Sequence, residues 1–448
     1  MVPVRARSAA QIALVLGALL LLGRGISLSP HGAAGPFDEL GFLALGLAII
    51  VTAALIGGNL AIRAGQPAVL GELVAGVLLG NLPGLGTLHF LAADPYLDIL
   101  SRIGMLLLLF EVGLGLSVRD LFSVGGSSLL VAVIGTGSSI AIGTGTAALL
   151  MPNASVAGHL FIGAAIAATS VGITARVLRD MGASRSSEAK IILGAAVVDD
   201  VLALVLLGAV TVWASTGQSA AASQIPMIVA LVMKTIGFLA LAILLGVKLT
   251  PAWFRRAANL RTKDALLIAG LCFCFFLSWA ASAIGLAALV GAFAAGLVLE
   301  DAHSAIFVQR GEPSLGERLQ PMISFLVPVF FVLVGFRTNV STLGQPAVLA
   351  FSIVLALAAI LGKLSCALGV PNGGVRKLAV AAGMVPRGEV TLVFAAVGSA
   401  IFVGREPLLD TRGYTALVTV VILTTLATPP ALKWSLKRKE ELRFNSHS

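Results

Sequence analysis

Charge is what this chain has least of. Charged residues make up 11% of its 448 positions, against about a quarter in an ordinary soluble domain. That excludes a conventional soluble globule. Aromatic residues are also scarce, at 6%, and there are three cysteines, Cys272, Cys274 and Cys366. All three sit in apolar runs, so no disulfide framework is indicated. Cys272-x-Cys274 has neither zinc-ligand spacing nor a nearby histidine, and the five histidines are scattered. The Gly135–Gly145 run lacks the Lys-Ser/Thr that completes a phosphate loop. No cofactor is expected, and nothing points to an enzyme.

Apolar residues fill the space. They account for 58% of the chain, the mean hydropathy is +1.02, and 50 glycines favour close helix–helix approach. About fourteen apolar segments approach the roughly 20-residue length that crosses a bilayer. They centre near Ala18, Gly46, Val74, Leu107, Ile134, Ala167, Ala203, Leu239, Phe273, Phe293, Phe330, Leu355, Leu392 and Ile422. Residues 1–36 form an extra segment, in which Arg5 and Arg7 precede the apolar run Ile12–Leu22. That run reads equally as a signal peptide or as a retained helix.

With the N-terminus placed inside, alternation puts nearly every basic loop on the cytoplasmic side. Arg63, Arg119, the Arg176–Lys190 group, the Lys248–Lys263 group, Arg310, Arg318, Arg376 and Lys377 fall there. So does the basic tail, residues 434–448. Only Arg24, Arg102, Arg337, Arg405 and Arg412 fall outside. The net charge of +9 therefore reflects membrane topology and not a nucleic-acid surface. No soluble domain is expected after the last segment.

An ionised side chain at mid-membrane costs about 2.5–3.5 kcal/mol on insertion scales, so each one is a functional candidate. Asp199 and Asp200 have two apolar helical turns on either side. Adjacent helix positions differ by about 100°, so one carboxylate can face an ion path while the other meets a neighbouring helix. Lys363, in a later apolar segment, is either that neighbour's counter-charge or a snorkelling residue. Thr169, Ser170 and Thr174 lie in a stretch that interrupts a helix and carries oxygen ligands. Pro386, Arg387 and Glu389 interrupt a second helix, where the two charges could neutralise each other and the exposed helix ends. The interrupted segments are the sixth and thirteenth, so they cross in opposite directions. That is the pattern of an inverted-topology repeat around a midplane site, although no literal sequence repeat stands out. Glu72 and Glu111 read as structural or funnel-lining groups, and Lys234 as a snorkelling one.

Five stretches in order, Pro67–Gly80, Thr169–Thr174, Val198–Val201, Pro328–Gly335 and Pro386–Glu389, resemble the bacterial sodium/proton antiporters of the monovalent cation:proton antiporter-2 family. The resemblance covers residues 38–433. It implies an all-α polytopic fold of 13–14 transmembrane helices with two crossed discontinuous helices. Within a transporter domain of residues 37–433, core helices would occupy 125–213 and 346–433. Dimerisation helices would occupy 37–120 and 265–340, in a homodimer. It also implies the electrogenic Asp-Asp branch; electroneutral relatives carry Asn-Asp and potassium-efflux relatives Gln-Asp. Carried over by position, Asp200 would bind the cation and the proton, Asp199 would pair with Lys363, and Thr169 and Ser170 would line the site. The expected cargo is sodium, with potassium or lithium as alternatives, in a bacterial-type plasma membrane.

Two other classes compete. An intramembrane aspartyl protease needs two carboxylates opposed across two helices, which adjacent residues on one helix cannot supply. A sodium-coupled symporter of organic solutes would use similar broken helices. It is told apart by whether sodium flux needs an organic substrate or only a pH gradient.

Overall fold

A computed structural model describes residues 36–444, apart from 83–87, 89, 116–124, 171–172, 175–176, 179–180, 182, 184–185, 216–224, 259–263, 309–313, 372–373 and 404–405. The N-terminal apolar segment around Ala18 lies outside the described residues. So do Arg24, Arg119, Arg176, Arg179, Arg185, Arg261, Lys263, Arg310 and Arg405, and Val171-Gly172 within the first interruption.

Helices carry the fold: α1 (Pro36–Arg63), α2 (Ala68–Asn81), the single turn α3 (Phe90–Ala93), α4 (Pro95–Leu114), α5 (Gly126–Leu150), α6 (Val156–Ala165) and α7 (Ser187–Ser215). There follow α8 (Ile225–Ala258), α9 (Ala265–Ala283), α10 (Ala288–Val308), α11 (Leu315–Phe336) and α12 (Pro346–Leu364). The chain ends with α13 (Lys377–Gly383), α14 (Glu389–Ala400) and α15 (Thr411–Phe444). Between α14 and α15, Phe402–Val403 pairs antiparallel with Glu406–Pro407, with Phe402 opposite Pro407. Among the described residues, seven helices are long and apolar enough to cross a membrane, and five shorter apolar helices accompany them. Every predicted segment centre from Gly46 onward falls on a helix, except Ala167, which lies in a break.

The chain divides into two compact units. One takes in Met1–Leu108 and Leu319–Gln345; the other takes in Leu109–Arg318 and Pro346–Ser448. In the first, Asp98 joins two of the arginines expected outside, with Arg102 Nε at 2.7 Å and Arg337 Nη2 at 2.8 Å. In the second, Arg318 meets Asp264 at 3.0 Å.

Helix packing exposes a repeat that residue identities conceal. Gly65 ends α1 with φ +75°, and Gly285 ends α9 with φ +77°. Each closes its helix with paired reverse hydrogen bonds: Gln66 N–H to Ala61 O beside Gly65 N–H to Ile62 O, and Leu286 N–H to Ala281 O beside Gly285 N–H to Ser282 O. Gly71 and Gly76 on α2 stand at the same spacing as Gly291 and Gly296 on α10. Gly71 packs on the carbonyl of Gly57 and Gly291 on that of Leu277. Gly76 packs on Val332 O and Gly296 on Phe110 O. The equivalence therefore lies in where backbones touch, which small residues permit and which leaves little trace in sequence similarity.

A side chain at these contacts forces the helices apart. We expect Gly71→Leu to lower stability by at least about 2 kcal/mol, the scale of an overpacked core. Thermal unfolding in detergent against the exposed control Leu60→Ala checks this.

Candidate functional site

The second unit holds the two interruptions against each other. Helix α6 stops at Ala165 and α13 at Gly383, and their caps share one backbone conformation: Ile166 at φ −84°, ψ −1° and Met384 at φ −91°, ψ −2°. Beyond the caps the two segments run antiparallel. Thr391 Oγ1 donates to Ala165 O at 2.9 Å, and Ser170 N–H to Pro386 O at 2.9 Å. Thr169 Oγ1 donates to Met384 O at 3.1 Å and Thr174 Oγ1 to Gly383 O at 2.6 Å. A helix that ends leaves carbonyls open, and inside an apolar layer those groups need donors. Threonine hydroxyls and the Ser170 N–H from the opposite segment supply them.

The two charges of the second interruption serve different ends. Arg387 is fully buried. Its Nη1 donates to Met384 O at 3.2 Å and Val385 O at 3.0 Å, and its Nη2 to Ala359 O of α12 at 2.8 Å. Its backbone is bracketed by α15, with its N–H on Thr424 Oγ1 at 3.1 Å and its carbonyl accepting from Thr425 Oγ1 at 2.9 Å. Glu389 instead occupies the first turn of α14, where the helix N-terminus favours negative charge. It accepts from Ser170 Oγ at 3.1 Å. The mutual Arg387–Glu389 neutralisation expected from sequence does not form: carbonyls at the end of a broken helix claim the guanidinium first.

Helix α7 passes this crossing and carries Asp199 and Asp200, both buried. Lys363 Nζ, fully buried at the end of α12, reaches both oxygens of Asp199 at 2.8 and 2.6 Å. Lys363 therefore does not snorkel. Thr136 Oγ1 on α5 donates to the same carboxylate. Gly135 lies against the Lys363 stem, where a Cβ would stand 3.2 Å from its Cδ. Asp200 has no hydrogen bond or ion pair drawn to the described residues. The charges of Glu389, Asp199 and Lys363 all act on it. A buried carboxyl group therefore stands beside a carboxylate–ammonium pair. No group of three or more His, Cys, Asp or Glu able to hold a resident metal occurs among the described residues.

Sequence reading missed Thr136. Hydroxyls recur throughout α5, and only the approach of α7 singles this one out. Of the weaker candidates, Glu72 stands on α2 in the first unit, lining a cavity with Asn59 and Leu60. Glu111 is on α4, half-buried. Lys234 is exposed, with its Nζ near Gly285 beyond the α9 C-terminus. That is a reach towards a helix end and suits a snorkelling residue.

Two stability tests follow from these contacts. Arg387→Met should strip three carbonyls of a donor and lower stability by about 3 kcal/mol or more, and Arg387→Lys should not restore it, since one ammonium cannot span the same acceptors. Thr136→Val should cost about 1–3 kcal/mol, with Thr136→Ser close to the parent. Thermal unfolding in detergent reads both.

The sequence compares closely with curated transporters. It is 35% identical over 426 residues to the high-affinity Na+/H+ antiporter NhaS3 of Synechocystis, covering 87% of this chain and 88% of the relative. It is 32% identical over 400 residues to the Na+/H+-K+ antiporter GerN of Bacillus cereus, covering 88% and 96%. The fold matches the sodium proton antiporter MjNhaP1 of Methanocaldococcus jannaschii at pH 8, with a TM-score of 0.65 at 17% identity, over 90% of this chain and 98% of that one. Residues 49–438 match the profile of the transmembrane sodium/hydrogen exchangers, and the chain, a multi-pass membrane protein, belongs to that family.

Proposed function

We propose that this protein is a secondary antiporter exchanging sodium for protons, of the electrogenic Asp-Asp branch of the monovalent cation:proton antiporter-2 family. The reading is carried by one observation. Asp200 is a buried carboxylate beside the crossing of two interrupted helices, while Asp199 next to it is already neutralised by Lys363. Hard monovalent cations prefer oxygen ligands. Asp200, with Thr169 and Ser170 lining the site, supplies them. A carboxylate that binds a cation releases its proton, and one that takes a proton releases its cation, so one group couples opposite fluxes. The relatives named as Na+/H+ antiporters support the cargo.

Asp199 and Lys363 account for the charge. When sodium leaves, a proton taken up by this pair moves in addition to the one on Asp200. More than one proton then crosses per cation, and transport responds to membrane potential at about 2.3 kcal/mol per charge per 100 mV. Residues 125–213 and 346–433 act as the moving core, and 37–120 and 265–340 as the dimerisation part of a homodimer. The protein sits in a bacterial-type plasma membrane with its C-terminus in the cytoplasm, as the basic-residue asymmetry requires. Potassium/proton exchange is the second reading, because GerN carries potassium in its name.

In proteoliposomes, Asp200→Asn should reduce sodium-driven proton movement to the protein-free background; full exchange by this variant would sink the assignment. Lys363→Gln should change the net charge carried per cation under a clamped potential. A series of sodium, lithium and potassium in the same assay decides the cargo.

A further inference from the structure

The end of the second unit that the basic-residue asymmetry places in the cytoplasm contains a node the exchange chemistry does not use. Arg376 occupies the N-cap position of α13, the first half of the second broken helix. Its N–H donates to Glu188 Oε1 at 3.1 Å, and its Nε lies 3.9 Å from the same oxygen. Glu188 is in the first turn of α7, the helix that carries Asp199 and Asp200. The Arg376 guanidinium also donates through Nη1 to Leu436 O near the end of α15. Leu432 and Leu436 are buried with Ala189, Ile192, Ala379 and Val380 in one apolar cluster. One arginine and one cluster thus tie the end of α15 to the starts of α7 and α13.

Exposed basic residues flank this node: Lys190 on α7, Lys377 on α13 and Lys433 on α15. Two of them have an exposed apolar residue next in sequence, Leu378 at 45% and Trp434 at 57% exposure. An ammonium beside an exposed apolar group matches the boundary between headgroups and acyl chains. The sequence continues Lys437-Arg438-Lys439 before Glu440 and Glu441, and α15 continues through them. Its 34 residues span about 51 Å, well beyond a hydrocarbon core of about 30 Å. The one buried carboxylate at the node, Glu188, is taken by Arg376. The exposed charge described at this end of α7, α13 and α15, on Lys190, Lys377 and Lys433, is positive.

We propose that this end of the second unit is a binding surface for anionic lipid headgroups. Phosphate groups sit among Lys190, Lys377 and Lys433, the basic residues that follow in sequence add positive charge, and Leu378 and Trp434 enter the acyl boundary. Arg376 transmits occupancy to α7 and α13. The transmission half rests on the exchange reading above, and the binding half stands without it.

The full chain in detergent, titrated with phosphatidylglycerol, tests binding. The melting midpoint should rise by about 2–4 °C. Phosphatidylcholine and soluble glycerol phosphate should not reproduce the rise, and K377Q/K433Q/K437Q/K439Q should lose at least half of it. An equal rise with phosphatidylcholine or glycerol phosphate, or an unchanged rise in the quadruple variant, overturns the proposal. Vesicles of phosphatidylcholine with and without phosphatidylglycerol test transmission. The anionic lipid should speed exchange by about twofold or more. The quadruple variant should match the parent in pure phosphatidylcholine and lack the acceleration. Arg376→Gln should keep the melting shift and lose the acceleration. Binding without acceleration in the parent overturns the transmission half. A parent that exchanges nothing in either vesicle refutes the exchange reading and leaves the melting test standing.

Discussion

A peptide group cannot be left open in an apolar layer, and the site is organised by that constraint. Two helices stop inside the second unit, and each stop exposes carbonyls. Thr169, Thr174 and Thr391 donate to carbonyls across the crossing. Arg387 shares Met384 O with Thr169, and adds Val385 O and a carbonyl of α12. Because those donors come from opposite segments, neither interruption is satisfied alone. The break that opens backbone inside the apolar layer is also what fastens the two broken helices together.

The charge arrangement follows. Burying a lone carboxylate is expensive, and burying two adjacent ones more so. Lys363 and Thr136 meet the need of Asp199. Asp200 is left buried with the neighbouring charge already compensated. In the exchange proposed above, one site is shared by two competing cargoes, a role for which a satisfied carboxylate is unsuited. The roughly 100° between adjacent helix positions makes this unequal treatment of two identical neighbours possible, and the proposed exchange rests on it.

Close helix contact is the other theme. Where glycines of α2, α4, α10 and α11 meet backbone carbonyls, helices approach to distances a Cβ would forbid. The matched placement of Gly65, Gly71 and Gly76 with Gly285, Gly291 and Gly296 shows the same packing device used twice, with different residues between. Glu72 has Ala292 as its counterpart, so the halves share a scaffold and not its charges.

Composition and apolar periodicity determined that this is a many-helix membrane protein, because hydrocarbon tolerates little else. The rarity of intramembrane charge was enough to pick out Asp199, Asp200 and Lys363, and proline and glycine marked where helices break. Tertiary structure alone decided which partners these groups take. Sequence could not choose between a snorkelling and a paired Lys363, since the outcome depends on where α12 ends relative to α7. It allowed Arg387 and Glu389 to neutralise each other and the exposed helix ends, and could not say which. Folding brings carbonyls of α12 and α13 closer to the guanidinium than that carboxylate, and gives Glu389 a hydroxyl from the other broken helix. Thr136 was invisible for the same reason: one hydroxyl among many on α5 acquires a role only when another helix sets a carboxylate against it.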